Sequence, residues 1–195
     1  HIKMALSIEG KTVLYSCLNW GSGHLSRSIG VIRELLELNN TVIFAGDEFQ
    51  QSIIAEYFPE ISLVELKSYP FNFSNNGTFA SDLLKSRKAL LKHVRYEFDE
   101  VELLLKKFPR IECVISDHRY GFFSNKIQSI FITHQVFLPL KWYQFAAQYI
   151  HTMLMQSFNE IWIMDTEEDR LAGKLSAKPK RKSYLYIGHY SRFKK

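Results

Sequence analysis

Cysteine is scarce: the 195-residue chain holds two, Cys17 and Cys113, each inside an apolar run, and no CxxC pair. A thiol in such a setting acts as a small hydrophobe, so a disulfide framework and a structural zinc site are excluded and a reducing cytosol fits. A secretory signal is lacking too, because His1 to Gly10 carries Glu9 and has no apolar leader segment. No apolar run is long enough to span a bilayer: the most membrane-like stretch, 130–155, is broken by His134, Gln135, Lys141, Gln144, Gln148 and His151. Acid is missing from one region. Residues 174–195 carry eight Lys and Arg and no Asp or Glu, so the net charge of +5 is +8 in this tail against −3 in the 173 residues before it. Nucleic-acid-binding domains spread basic residues over a folded face interleaved with aromatics, which a local run does not imitate, and no nucleic-acid partner is expected.

What is present is the material of one sizeable core. A mass of 22.9 kDa favours one domain with room for an appendage, on a prior of roughly 150 residues per domain. A chain of this size can bury roughly 70% of its unfolded surface, and a composition 46% hydrophobic and 14% aromatic supplies the apolar groups, which excludes disorder. Short β-rich runs at 12–18, 41–45, 61–66, 112–116, 129–133, 160–164 and 184–187 alternate with segments of helical period at 22–38, 48–58, about 80–107 and about 140–157. That alternation predicts an α/β fold, a Rossmann-like parallel sheet with helices on both faces. Residues 67–78, with Tyr69-Pro70 and Asn75-Asn76-Gly77, predict a polar, aromatic-bearing loop.

In such a sheet, ligands bind beyond the carboxyl ends of the strands, where loops converge and helix N-termini aim N–H groups at the crevice. The first strand runs into Asn19-Trp20-Gly21-Ser22-Gly23-His24-Leu25-Ser26-Arg27. Gly21 and Gly23 permit a close approach that a Cβ would prevent, Ser22 can cap the following helix, and an oxyanion or sugar hydroxyl can dock there. The run lacks the third glycine of a dinucleotide fingerprint, and no Gly-Lys-Ser/Thr follows it, so NAD and ATP become minor readings. His24 and Arg27 share a face of the first helical turn and can act on one ligand. The alternative is that His24 bonds a loop carbonyl and Arg27 pairs with a surface acid. Asp117, closing the fourth strand, either caps the turn after it or orients His24 or a substrate. Thr133-His134-Gln135 puts three polar side chains after an apolar run, which core packing explains poorly. Residues 138–155 form an amphipathic stretch whose Trp142, Phe145, Tyr149, Met153 and Met155 read as a core stripe, or as a contact with lipid head groups if Lys141, Trp142 and Tyr143 face water.

The segment from Asn19 to Arg27 resembles the Asn-Trp-Gly-x-Gly-His-x-x-Arg opening of the MurG-like glycosyltransferases of GT-B fold, in a bacterial branch of predicted glycosyltransferases. Further signposts arrive in order. Ser116-Asp117-His118-Arg119-Tyr120-Gly121 is similar to the branch's S-D-x-R-Y-G segment, Ile132-Thr133-His134-Gln135 to its I-T-H-Q segment, and Tyr186 to Phe193 to its approach to the interdomain hinge. The resemblance covers nearly all of the chain. It implies a transferase of two Rossmann-like domains, the N-terminal one holding the acceptor and the C-terminal one holding most of the nucleotide sugar. On this reading 1–10 is a tag remnant or N-terminal extension, 11–188 the acceptor-side domain and 189–195 the start of the hinge. The chain is then half an enzyme, either truncated or a separately encoded acceptor subunit, whose partner is a C-terminal donor-binding domain.

The implied activity is transfer of a hexose or N-acetylhexosamine from a nucleotide-sugar substrate, UDP-linked, to a lipid or glycan acceptor for cell-envelope polysaccharide. It would take place in the cytoplasm or at the inner face of the membrane. No cofactor or metal is implied, since GT-B enzymes work without a bound cation and no Asp-x-Asp pair occurs. The resemblance points to His24 as the base, with Asp117 as its catalytic companion. Gly21, Ser22 and Gly23, with Asn19 and Arg27 nearby, would line the diphosphate or acceptor. Asp117, Arg119, Thr133, His134 and Gln135 would form the acceptor-side wall. Where MurG proper has histidine followed by Glu-Gln-Asn, this chain has His134-Gln135-Val136, which argues against a lipid-linked peptidoglycan acceptor. Two rival classes share the fold: a non-catalytic, membrane-recruiting acceptor subunit of a two-chain transferase, and a different small-molecule-binding Rossmann enzyme.

Overall fold

The computed structural model describes residues 6, 8–19, 21–69, 86–133, 145–164 and 184–190, with the backbone alone at 21, 22 and 145–147. The strands are β1 (Thr12–Cys17), β2 (Thr41–Gly46), β3 (Ser62–Glu65), β4 (Cys113–Asp117), β5 (Gln128–Thr133), β6 (Glu160–Ile163) and β7 (Tyr184–Tyr186). The helices are α1 (Gly21–Glu37), α2 (Glu48–Tyr57), α3 (Arg87–Lys107) and α4 (Phe145–Met155). All seven strands form one parallel sheet in the order β3-β2-β1-β4-β5-β6-β7.

Strands this apolar are buried on both sides, and side-chain alternation divides each between two layers. Val13, Tyr15 and Cys17 of β1 face the layer of α1 and α2, packing with Leu25, Ile29, Ile32, Leu35 and Ile54. Leu14 and Val114 face the opposite layer, where Val101 and Leu104 of α3 cover them. Farther along, Phe131, Ile161 and Ile163 meet Leu90 and the α4 residues Leu154 and Met155.

Local chemistry sets the ends. Asn39, at φ 58°, takes the left-handed conformation that stops α1. Asp47 and Gln50 close a capping box on α2, each side chain bonding the other's backbone N–H. Lys106 and Lys107 sit in the last turn of α3, at the negative end of its dipole.

Ladder pairing places β4 one residue later than the apolar run predicts, because Asp117 still pairs with Cys17. Asp117 therefore ends the strand on the α1 side, whereas Ser16 and Ser116 project to the α3 side. The expected helices at 80–107 and 140–157 are seen as 87–107 and 145–155; residues 80–85 and 140–144 lie outside the described residues, as do most of the expected 67–78 loop and residues 191–195 of the expected hinge. Among the described residues no helix is long and apolar enough to cross a membrane.

The chain lays β2 and β3 to one side of β1 and then crosses back to lay β4 on the other. In open parallel sheets such a reversal of strand order is where connections leave on opposite faces and a binding crevice is expected beyond the strands' carboxyl ends.

Candidate functional site

At this switch point α1 and β4 bring together residues far apart in sequence. His24 Nδ1 lies 2.9 Å from Asp117 Oδ1, with the imidazole 13% exposed and the carboxylate 2%. An ionised carboxylate only accepts, so the contact puts the imidazole proton on Nδ1 and the basic lone pair on Nε2. Arg27 Nη2 is 3.1 Å from the same Nδ1. One ring nitrogen cannot serve both, and the shorter, charge-assisted bond to Asp117 prevails, leaving Arg27 a cation beside the pair. Asp117 is held on its other oxygen as well: Tyr15 O–H donates to Ser28 Oγ at 3.0 Å, and Ser28 O–H donates to Asp117 Oδ2 at 3.3 Å. Burial first, and the Asp117 charge second, push the Tyr15 phenol well above its usual value, so it stays protonated as the donor at the end of this chain. Asp117 makes no helix cap.

Two glycines of the matched segments have different reasons to be glycine. Among the described residues a Cβ at Gly23 would meet only Arg27 Nη1, at 3.9 Å, so packing does not demand glycine there. A Cβ at Gly121 would lie 2.2 Å from the Val94 carbonyl oxygen of α3, so that glycine is dictated by packing. Asn19, half-buried at the mouth of β1, has its Oδ1 buried without a hydrogen-bond partner among the described residues. Gly21 and Ser22 open α1, with only their backbone described.

Arg119 does not line the crevice. It is fully buried on the α3 side, with Nε 2.5 Å from Glu97 Oε1 and Nη2 donating to the Lys67 carbonyl at 2.6 Å. Strand alternation would keep Arg119 on the Asp117 side, but the left-handed backbone of His118 between them, at φ 65°, breaks the alternation and turns Arg119 into the opposite layer, so it cannot join the acceptor-side wall predicted for it. Thr133 is buried at the end of β5, where its carbonyl accepts from Met164 N–H at 2.8 Å. His134 and Gln135 lie outside the described residues. So do Trp20, Lys141, Trp142 and Tyr143; the described part of α4 turns His151, Leu154 and Met155 inward and exposes Tyr149 and Met153.

The sequence reading missed several residues that the structure brings to the site. Ser28 is four residues after His24 on the same helical face, a spacing that could have found it. His118 follows Asp117 at φ 65°, and its buried ring lies 5.6 Å from that of His24 and 6.1 Å from that of His151, an arrangement no local pattern announces. Glu97, on the other side of the sheet, occupies the buried face of α3 with Leu90, His93, Val101 and Leu104, where a carboxylate signals a buried partner. Both cysteines are buried, and the loss of hydration pushes each thiol up to about 12. Among the described residues no group of three or more His, Cys, Asp or Glu side chains is placed to hold a metal ion.

No protein-family model and no curated protein sequence matches the chain. Solved structures do. A UDP-glucosyltransferase from Polygonum tinctorium superposes with a TM-score of 0.60 at 11% identity, over 94% of this chain and 53% of that one. MurG from Acinetobacter baumannii superposes with a TM-score of 0.50 at 11% identity, over 94% and 46%. The fold is that of one half of a GT-B molecule. UDP-GlcNAc 2-epimerase from Neisseria meningitidis shares it, with a TM-score of 0.50 at 16% identity over 90% of this chain and 46% of that one. The chain thus spans about half the length of the structures it resembles, and at these identities the likeness concerns the fold.

Proposed function

We propose that this chain is the acceptor-binding half of a nucleotide-sugar-dependent glycosyltransferase in which His24 is the general base and Asp117 orients it. The observation that carries the reading is the 2.9 Å contact between His24 Nδ1 and Asp117 Oδ1 at the switch point of the sheet. With its proton fixed on Nδ1, the imidazole presents Nε2 to an acceptor hydroxyl. Nε2 takes the hydroxyl proton as that oxygen attacks the anomeric carbon of the donor sugar. The carbon–oxygen bond to the diphosphate breaks, its electron pair leaves with the phosphate, and the imidazolium formed is stabilised by the Asp117 carboxylate. Arg27 and the space at Gly23 are able to meet acceptor hydroxyls or the departing diphosphate, and Asn19 Oδ1, without a partner among the described residues, is able to accept from an acceptor hydroxyl.

Fold alone does not select transfer, since an epimerase shares it; the oriented histidine supports transfer, because removal of an acceptor proton is what transfer requires. The donor is UDP-linked on the analogy of the UDP-sugar enzymes of like fold, and the acceptor is a lipid or glycan hydroxyl. The reading assigns most nucleotide contacts to a second domain, so calorimetry of this chain with UDP-N-acetylglucosamine is expected to show weak binding or none. Tight one-to-one binding would mean that the nucleotide site lies here and that the chain is not the acceptor half.

A further inference from the structure

The segment Ser116-Asp117-His118-Arg119-Tyr120-Gly121 contains one residue assigned to the chemistry and, two positions later, a buried arginine on the other side of the sheet. Arg119 and its partner Glu97 are both 0% exposed. Glu97 Oε2 accepts from Tyr69 O–H at 2.9 Å and from Gly121 N–H at 3.0 Å, and His93 Nε2 lies 3.7 Å from Oε1. Arg119 in turn reaches Ser16 Oγ at 3.3 Å and the Cys17 carbonyl at 3.4 Å through Nη1, and the Lys67 carbonyl through Nη2. Its own backbone is clamped, because Arg119 N–H donates to Ser116 Oγ at 3.0 Å and Ser116 O–H donates to the Arg119 carbonyl at 2.6 Å. Cys17, whose carbonyl Arg119 holds, is the ladder partner of Asp117.

We propose that the Glu97–Arg119 pair positions Asp117 against His24, a role that rests on the reading of those two residues as the working pair. A buried ion pair contributes little net stability, because desolvation offsets its attraction. This one fixes geometry. It bolts the ends of β1 and β4 to α3 on one face of the sheet, so that the single residue between them and the clamp, His118, is forced to φ 65° and the Asp117 carboxylate is left directed at α1 on the other face. Arg119 and Glu97 touch neither His24 nor the crevice, and act through the backbone they hold.

The test is the Nδ1–H proton resonance of His24 in the protein labelled with nitrogen-15 at histidine, assigned by its loss in His24→Gln and expected at low field from the bond to Asp117. In the charge-free double variant Glu97→Gln/Arg119→Met, and in Arg119→Lys, which keeps the charge and loses the fork, the protein should unfold cooperatively as before. In either folded variant the resonance should vanish or exchange with water about tenfold faster or more, the loss expected when one charge-assisted hydrogen bond is disrupted. A purely stabilising pair would lower the unfolding temperature and leave the resonance of the folded protein unmoved, and that result in either folded variant overturns the proposal. Absence of the resonance from the unsubstituted protein would instead overturn the His24–Asp117 reading itself.

Discussion

Replacing Gly121 by alanine is the most demanding test of how the site-bearing loop is seated. The added methyl would stand 2.2 Å from the Val94 carbonyl oxygen and 2.7 Å from the Val94 Cα. Restoring a 3.0 Å contact would require the turn and α3 to part by about 0.8 Å. The obstacle is backbone in the interior of a helix of 21 residues, not the end of a flexible side chain, so relaxation is expensive. The same shift would lengthen the Gly121 N–H bond to Glu97, now 3.0 Å, and loosen a buried carboxylate. Overpacking usually costs roughly 1–3 kcal/mol, and rigid backbone puts this case at the upper end, about 3 kcal/mol. For a domain of this size that lowers Tm by about 6–12 °C. Urea unfolding followed by circular dichroism reads it directly. Gly23→Ala is the control: the nearest atom is 3.9 Å away, and helix propensity would raise stability by up to about 1 kcal/mol. Equal stability of Gly121→Ala and the parent protein would refute the close approach and the seating of the loop that depends on it.

Burial lowers the His93 pKa from the ordinary 6.5, with Glu97 partly opposing and Arg119 assisting. The folded state therefore prefers neutral imidazole and the unfolded chain takes up the proton first. Stability from this group is complete above about pH 6.5 and falls as pH drops below it, so the urea midpoint should decrease from pH 7 to 5.5 in the parent and less steeply in His93→Gln; identical slopes would contradict the assignment. The thiols of Cys17 and Cys113, each pushed up to about 12, should resist a disulfide-exchange reagent at pH 8 in the native protein and react on unfolding. Rapid native reaction of either one would show that its strand is not buried as described.

The layered sheet was legible because strands buried on both faces read as short apolar runs and the helices between them carry one apolar stripe. Gly23 and His24 could be placed because the first strand and helix are contiguous in sequence. Arg119 could not, since its charge and its place beside Asp117 suggested a ligand-facing wall. Only the left-handed turn at His118, which breaks the alternation that would keep Arg119 beside Asp117, together with a carboxylate waiting in α3, sends it into the interior. Glu97 left a trace, a charged residue in an apolar stripe, that gains meaning once α3 is known to cover Ser16 and Ser116. The left-handed backbone at His118 was not legible, because a lone histidine after a strand does not by itself mark such a turn.

The central claim is that His24, oriented by Asp117, removes the acceptor proton. It is tested most directly by turnover of His24→Gln, which keeps a hydrogen-bonding side chain and cannot take up the proton. The assay follows transfer of labelled sugar from a UDP-sugar to a hydroxyl acceptor by the protein together with its donor-binding half. The account predicts a fall in kcat of about 10²- to 10⁴-fold, the usual contribution of a general base. KM and the unfolding temperature should change little, since a crevice side chain adds little packing. Near-parental turnover in that variant would contradict the account and return His24 to a structural role in the first turn of α1.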